Sequence, residues 1–158
     1  MVQKGSFYWL GQPTVVKKAE PDDQQHFLGV IEGYASTHDF DRQGDIVTSK
    51  ALTKAVNDLV NFNYTVFFNH KHEDLPIGRV LDASYHEGKG LFVRVGISKT
   101  APEIWTQIEE GVLDKFSIFG RLKEAEYVNQ EIDGKNVRVR QINDIELMEV
   151  SVVGVPAN

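Results

Sequence analysis

Alternating apolar and polar positions dominate the chain, and two stretches replace that rhythm with helical spacing. Residues 26–36 carry Phe27, Leu28, Val30, Ile31 and Tyr34 and predict the first secure strand. Gly29 and Gly33 within it allow a bulge or a close backbone approach. Leu52, Ala55, Val56, Leu59 and Val60 recur at helical spacing over 49–60, with Thr48 or Ser49 able to cap the start. Strand patterns follow at 64–70, 77–86 and 91–97, the last two joined by the turn Glu87-Gly88-Lys89-Gly90. A second helix is expected over 101–110, from the capping-box pair Thr100 and Glu103, Pro102 in the first turn and Gly111 as its stop. Four strand-like segments come next, at 116–121, 124–131, 136–142 and 145–153, with Asp133-Gly134 as a tight turn. About seven strands with two helices predict an α+β, strand-dominated fold, a curved sheet or β-barrel carrying the helices on its outside.

Residues 1–25 read differently. Gly11, Pro13 and Pro21 punctuate them, and Glu20-Pro21-Asp22-Asp23 is a solvated acidic turn, so this segment is expected to be irregular and loosely attached. Phe7, Tyr8, Trp9 and Leu10 could dock on the body or pair as an edge strand. Residues 26–158 then form the core domain.

Composition narrows the classes. A chain of 158 residues suits one domain with a substantial core, and 41% hydrophobic with 25% charged residues is ordinary for a globular protein. No apolar run approaches the length of a membrane span, and no continuous apolar signal segment opens the sequence. The absence of cysteine excludes disulfides, a thiolate nucleophile and sulfur-ligated zinc, and fits a reducing compartment. A net charge of -6, with only Lys17-Lys18 and Arg138/Arg140 in place of a basic stripe, argues against a dedicated nucleic-acid binder.

Polar groups in apolar surroundings mark the candidate chemistry. Over 145–153, alternation puts Ile145, Leu147, Glu149, Ser151 and Val153 on one side. An ionised carboxylate on a buried face costs on the order of several kcal/mol unless it is paired. A histidine partner would make Glu149 the third member of a catalytic group; an edge strand with Glu149 in water is the other reading. Upstream, Val66, Phe68 and His70 share a face if their strand persists, which would fix an accessible imidazole at a strand end, a good place for a general base. A surface histidine at a strand-to-loop junction is the alternative. His72 is the second candidate base, whereas His38 and His86 look like surface or turn residues. Ser117 lies between Phe116 and Ile118; it is either a hydrogen-bonded strand serine or a nucleophile served by a nearby base and oxyanion donors, with Gly120 and Arg121 just downstream. It is not in a Gly-x-Ser-x-Gly elbow, which excludes the usual α/β-hydrolase arrangement. Asp39-Phe40-Asp41-Arg42-Gln43-Gly44-Asp45-Ile46 resembles the first half of a calcium loop. Lys50 stands where the bidentate glutamate is needed, however, so an Asx-ordered turn before a helix is the expectation.

Taken in order, these segments resemble the caudovirus prohead maturation proteases, phage relatives of the herpesvirus assemblins. The resemblance runs from about Gly29 onward, with the principal motifs read directly from the sequence. It rests on Gly33-Tyr34-Ala35-Ser36, Asp41 to Val47, Phe68-Asn69-His70, Pro76-Ile77-Gly78, Gly90-Leu91, Phe116-Ser117-Ile118, Glu149 to Val153 and Pro156-Ala157-Asn158. It implies an assemblin-like fold and a serine endopeptidase with Ser117 as nucleophile, His70 as general base and acid, and Glu149 orienting the histidine. It implies no metal or cofactor. The implied substrates are phage scaffolding protein, major capsid protein and the protease itself by autocleavage, inside the immature capsid in the host cytoplasm. No nucleic acid or membrane is implied, and the chain would act as monomer or dimer. Family members commonly lose a C-terminal extension by self-cleavage, so a chain stopping at Asn158 is expected to be a processed or truncated core. One departure stands out: the family usually has serine, an aliphatic, glycine, then an aromatic, whereas here Phe119 precedes Gly120. That order leaves the nucleophile in place and puts the oxyanion donors, including Arg121, in question. It is also the feature that favours the alternative, a non-enzymatic capsid-assembly or scaffold-binding module on the same fold.

Overall fold

The computed structural model describes residues 5–10, 17–18, 26–37 and 45–154. Along the chain these form β1 (Gly5–Leu10), β2 (Lys17–Lys18), β3 (Phe27–Thr37), β4 (Asp45–Val47), α1 (Ser49–Asn61), β5 (Thr65–Phe68), β6 (Gly78–His86), β7 (Gly90–Ser98), α2 (Pro102–Glu109), β8 (Lys115–Ile132) and β9 (Lys135–Val153). The strands make one sheet in the order β1-β8-β9-β5-β6-β7-β3-β2, with β4 paired to β9 off that path. β4 and β5 run parallel to β9, and the other pairings are antiparallel. Because β3 also packs against β8, the sheet curls on itself. This is the strand-dominated α+β architecture expected from the sequence.

The helices follow their patterns closely. α1 starts where Thr48 accepts the Ala51 N–H at 3.3 Å, and its Ala51, Leu52, Ala55 and Leu59 are buried against β6, β7 and β9. α2 begins without the expected capping box. Ala101 is its cap residue, whose methyl group cannot accept a cap bond, and the Thr100 hydroxyl pairs with that of Ser98 at 2.8 Å instead of capping the helix. Gly111 takes φ 76 and ends the helix as expected.

Nine strands lie among the described residues: β1, β2 and the short β4 add three to those read from sequence, and the merging of four C-terminal segments into two removes two. β1 and β2 pair with β8 and β3, so Phe7 to Leu10 take the edge-strand option. The four short C-terminal segments fuse into one long β8–β9 hairpin, turned by Asp133 and Gly134 at φ 52 and 75. The polar interruptions near Glu124 are register shifts inside the ladder, not strand ends.

A further irregularity decides where Glu149 points. Phe119 pairs with Glu149, but the next residue, Gly120, pairs with Leu147, which makes Met148 the extra residue of a β-bulge. Ile145 and Leu147 before the bulge belong to the hydrophobic core, and so do Val150 and Val152 after it. The strand therefore changes sides at Met148. Simple alternation put Glu149 on the face of Leu147; the bulge puts it on the opposite one, together with Ser151. The end of α1 fastens this kink, since Asp58 accepts the Leu147 N–H at 3.1 Å and Asn63, just beyond α1, donates to the Leu147 carbonyl at 2.8 Å.

Asp45, the last acid of the loop that resembles a calcium site, is buried and held by Arg140, whose Nε donates to it at 2.8 Å and whose Nη2 makes a second contact. Its carboxylate thus serves a two-pronged ion pair between β4 and β9. Residues 38–44, including His38 and the rest of that loop, lie outside the described residues, as does the closing Pro156-Ala157-Asn158.

Candidate active site

Two neighbouring strands carry the nucleophile candidate and the acid. Ser117 on β8 is paired directly with Ser151 on β9, and Glu149 lies two residues away on the same face. Phe116 and Ile118 point into the core on either side of Ser117, which fixes its orientation. All three polar side chains are buried, Ser117 and Ser151 completely.

His70 arrives from β5 by a turn. Phe67 and Phe68 pair with Ser151 and Val152, so straight continuation would have sent His70 to the core face alongside Val66 and Phe68. The strand instead stops at Phe68, and Asn69 and His70 adopt left-handed backbone at φ 51 and 57. Such a conformation costs roughly 1–2 kcal/mol for a non-glycine residue, least for Asn, Asp and His. Hydrogen bonds offset it. The Asn69 N–H donates to the Val152 carbonyl at 3.0 Å, the Gly154 N–H donates to the Asn69 side chain at 3.2 Å, and the His70 N–H donates to Ser151 Oγ at 3.1 Å. The ring of His70 consequently lies across the site face, with its side chain 8% exposed.

There the candidate residues meet. His70 Nε2 is 2.8 Å from Ser117 Oγ, and His70 Nδ1 is in hydrogen-bond contact with Glu149 Oε1. The second carboxylate oxygen of Glu149 accepts from the Ser151 hydroxyl at 2.7 Å. With both oxygens engaged, the buried acid has the compensation its burial requires. A carboxylate on Nδ1 makes that nitrogen the protonated one and leaves Nε2 as an acceptor for the serine hydroxyl. The arrangement can therefore withdraw a proton from Ser117.

Other residues named from sequence take different places. His72 is 40% exposed, with Nε2 at 3.6 Å from Glu149 Oε1 and its ring against Phe67 and Phe119, at centroid distances of 5.2 and 5.1 Å. It borders the acid, while Ser117 is bonded by His70. Ligand atoms of His70, His72 and Glu149 all lie within 4.8 Å of one another, so this trio could hold a metal ion. His86 is not a plain surface histidine: it bonds Tyr34 and Ser84 at 2.8 and 2.9 Å and stacks on Phe92. Arg121 is exposed and 3.5 Å from Glu146 across the hairpin. Gly120 lies inside the sheet, flanked by Phe7 of β1 and Leu147 of β9. Ser151 was not singled out from sequence. The available cue was a hydroxyl two residues from Glu149 in a run of valines, on the same face of one strand.

Comparison with known proteins shows the family. The family profile described as caudovirus prohead serine protease matches residues 14–158. The chain belongs to that family. Among curated relatives of this prohead protease family member, the prohead protease of Escherichia phage T5 is 38% identical over 131 residues, covering 81% of this chain and 58% of that protein. The prohead protease of Enterobacteria phage HK97 is 29% identical over 136 residues, 82% of this chain and 56% of its own length. The chain thus spans a little over half the length of these relatives. The solved structure of the bacteriophage T4 capsid assembly protease matches with a TM-score of 0.67, covering 98% of this chain and 99% of that one at 16% identity, a likeness of fold.

Proposed function

We propose that this chain is a serine endopeptidase of phage capsid maturation, with Ser117 as nucleophile, His70 as general base and acid, and Glu149 orienting the imidazole. The observation that carries the reading is the unbroken line Ser117 Oγ, His70 Nε2, His70 Nδ1, Glu149 Oε1 on one face of the β8–β9 hairpin and the turn after β5. Ser117 attacks a peptide carbonyl as His70 takes its proton, and the imidazolium so formed faces the Glu149 carboxylate. The same proton then passes to the leaving amine, and a water repeats the cycle on the acyl-enzyme. Ser151 is a positioning residue, holding the carboxylate and the His70 backbone at once. Because Ser117 is fully buried, substrate binding must include an opening step that bares the hydroxyl.

The substrates proposed are the scaffolding protein, the major capsid protein and the protease itself, cleaved within the immature capsid in the host cytoplasm. Incubating wild type and Ser117→Ala with scaffold and mapping new termini by mass spectrometry tests this. Cleavage should vanish in Ser117→Ala and His70→Ala without loss of fold, and Glu149→Gln should retain more activity than either. Unchanged turnover by Ser117→Ala ends the proposal; a dead His72→Ala beside an active His70→Ala reassigns the base. The Phe119-Gly120 order favours a non-enzymatic assembly module, and that reading predicts a folded wild type that cleaves nothing and takes no fluorophosphonate on Ser117.

A further inference from the structure

We propose that His70, His72 and Glu149 form a site for a zinc-class divalent cation, and that occupying it silences the protease. The inhibitory half of this rests on the functional reading above; the metal site itself rests on the geometry alone.

Two imidazoles and a carboxylate are a donor set suited to zinc and poorly suited to magnesium or calcium, which prefer all-oxygen shells. The donor atoms are already gathered within 4.8 Å. Around a tetrahedral zinc with bonds near 2.0–2.1 Å, ligand atoms sit about 3.3 Å apart. His72 Nε2 and Glu149 Oε1, at 3.6 Å, are near that separation, while the closer His70–Glu149 contact must open by about an ångström and the two histidine nitrogens, within 4.8 Å, must close by up to about 1.5 Å. His72 supplies the way in: its ring is 40% exposed, and Phe67 and Phe119 flank it. The buried end of the site has a second support, since Ser151 holds the other oxygen of Glu149 and leaves Oε1 directed at both histidines. Outer partners of this kind orient metal-binding carboxylates.

The consequence follows from the tautomer. In the metal-free site Nδ1 carries the proton and Nε2 accepts from Ser117. A cation on Nδ1 takes that nitrogen's lone pair, so the ring's single proton moves to Nε2, with no net proton gained or lost. Nε2–H then donates toward Ser117 Oγ and has no lone pair to receive the serine proton. Hydrolysis stops without any change in the nucleophile. The bare Nδ1 proton and the cation compete for one position, so the inhibition reverses when the metal is removed.

The test uses the whole chain after chelator treatment, with zinc chloride as the probe. Calorimetry should give saturable binding of one zinc in wild type and in Ser117→Ala, and more than about tenfold weaker binding in His72→Ala and in Glu149→Gln. Long-range proton–nitrogen spectra of the His70 ring should show the proton on Nδ1 without zinc and on Nε2 with it. Peptide hydrolysis should fall with zinc and return on adding chelator, and the ratio of rates without and with zinc should collapse toward one in His72→Ala. Equal zinc affinity in wild type and His72→Ala, or binding with the His70 proton still on Nδ1, overturns the site. Zinc that binds with the tautomer change yet raises or preserves hydrolysis overturns the inhibition. A chain that shows the binding and the tautomer change but cleaves no peptide in either state supports the site and removes the proteolytic reading beneath its regulatory role.

Discussion

Replacing Ser151 by alanine takes away one oxygen atom and two hydrogen bonds. The hydroxyl donates to Glu149 Oε2 at 2.7 Å and accepts the His70 N–H at 3.1 Å, in a position with no exposed surface. A hydrogen bond to a charged group contributes about 1.5–3 kcal/mol, and a neutral one to the amide about 0.5–1.5 kcal/mol. The two share an atom and do not simply add, so we expect Ser151→Ala to lose roughly 2–4 kcal/mol of unfolding free energy. A small domain of ordinary stability survives that loss. The kinetic effect should be separate. Glu149 then has one fixed oxygen in place of two, and the left-handed turn at Asn69 and His70 loses one of its ties, so kcat should fall about 10–100-fold with KM little changed. Urea unfolding measured in a Ser117→Ala background gives the first number, and initial rates on a scaffold-derived peptide give the second. A loss below about 0.5 kcal/mol together with wild-type kcat would refute the positioning role, because buried hydrogen bonds to a carboxylate cannot be removed so cheaply.

Three further outcomes are expected. Burial raises the carboxyl of Asp58 above its ordinary 3.8, with the Leu147 N–H and Lys54 pulling the other way. Its proton is therefore held more tightly in the folded state. The stability this confers is complete below pH 3.8 and is lost as pH rises through the folded value, so wild type should weaken relative to Asp58→Asn over that window in pH-resolved urea melts. Asp45→Ala removes the two-pronged contact from β4 to Arg140 on β9 and should cost about 1.5–3 kcal/mol, with a milder loss when both partners are replaced by apolar residues. Gly78→Ala places a Cβ at 2.2 Å from the Gly96 carbonyl oxygen on β7, so it should prise β6 from β7 and cost at least about 1–3 kcal/mol in thermal melts.

Local pattern carried the elements well. Leu52, Ala55 and Leu59 announce α1 because a helix repeats its buried face every turn, and Asp133-Gly134 announces the hairpin because few other pairs accept two positive φ angles. The side chains named from sequence do come together, but the mechanics that bring them together were illegible in it. Plain alternation put both His70 and Glu149 on the core side of their strands. Each in fact lies on the opposite side, His70 through two left-handed residues and Glu149 through the Met148 bulge. Two errors of the same sign cancelled, so the pair still met. The residues at the left-handed turn and at Met148 include no glycine, and the bulge is fastened by Asp58 and Asn63, far away in the chain. Ser151 escaped notice because its role depends on the turn after β5 lying over β9, which no local pattern encodes.

The placement of β9 also bears on when this chain can act. The strands that bring Ser117 and His70 to Glu149 both rest on it: β8 through Ser117↔Ser151 and β5 through Phe67↔Ser151. On the ribosome, β9 emerges after both. Until it does, the imidazole has no acid behind it and the turn that aims it has neither the Val152 carbonyl nor the Ser151 hydroxyl to hold. A nascent chain therefore carries a hydroxyl and a histidine that Glu149 has yet to align, so under the proposed function vectorial synthesis defers hydrolysis until β9 docks.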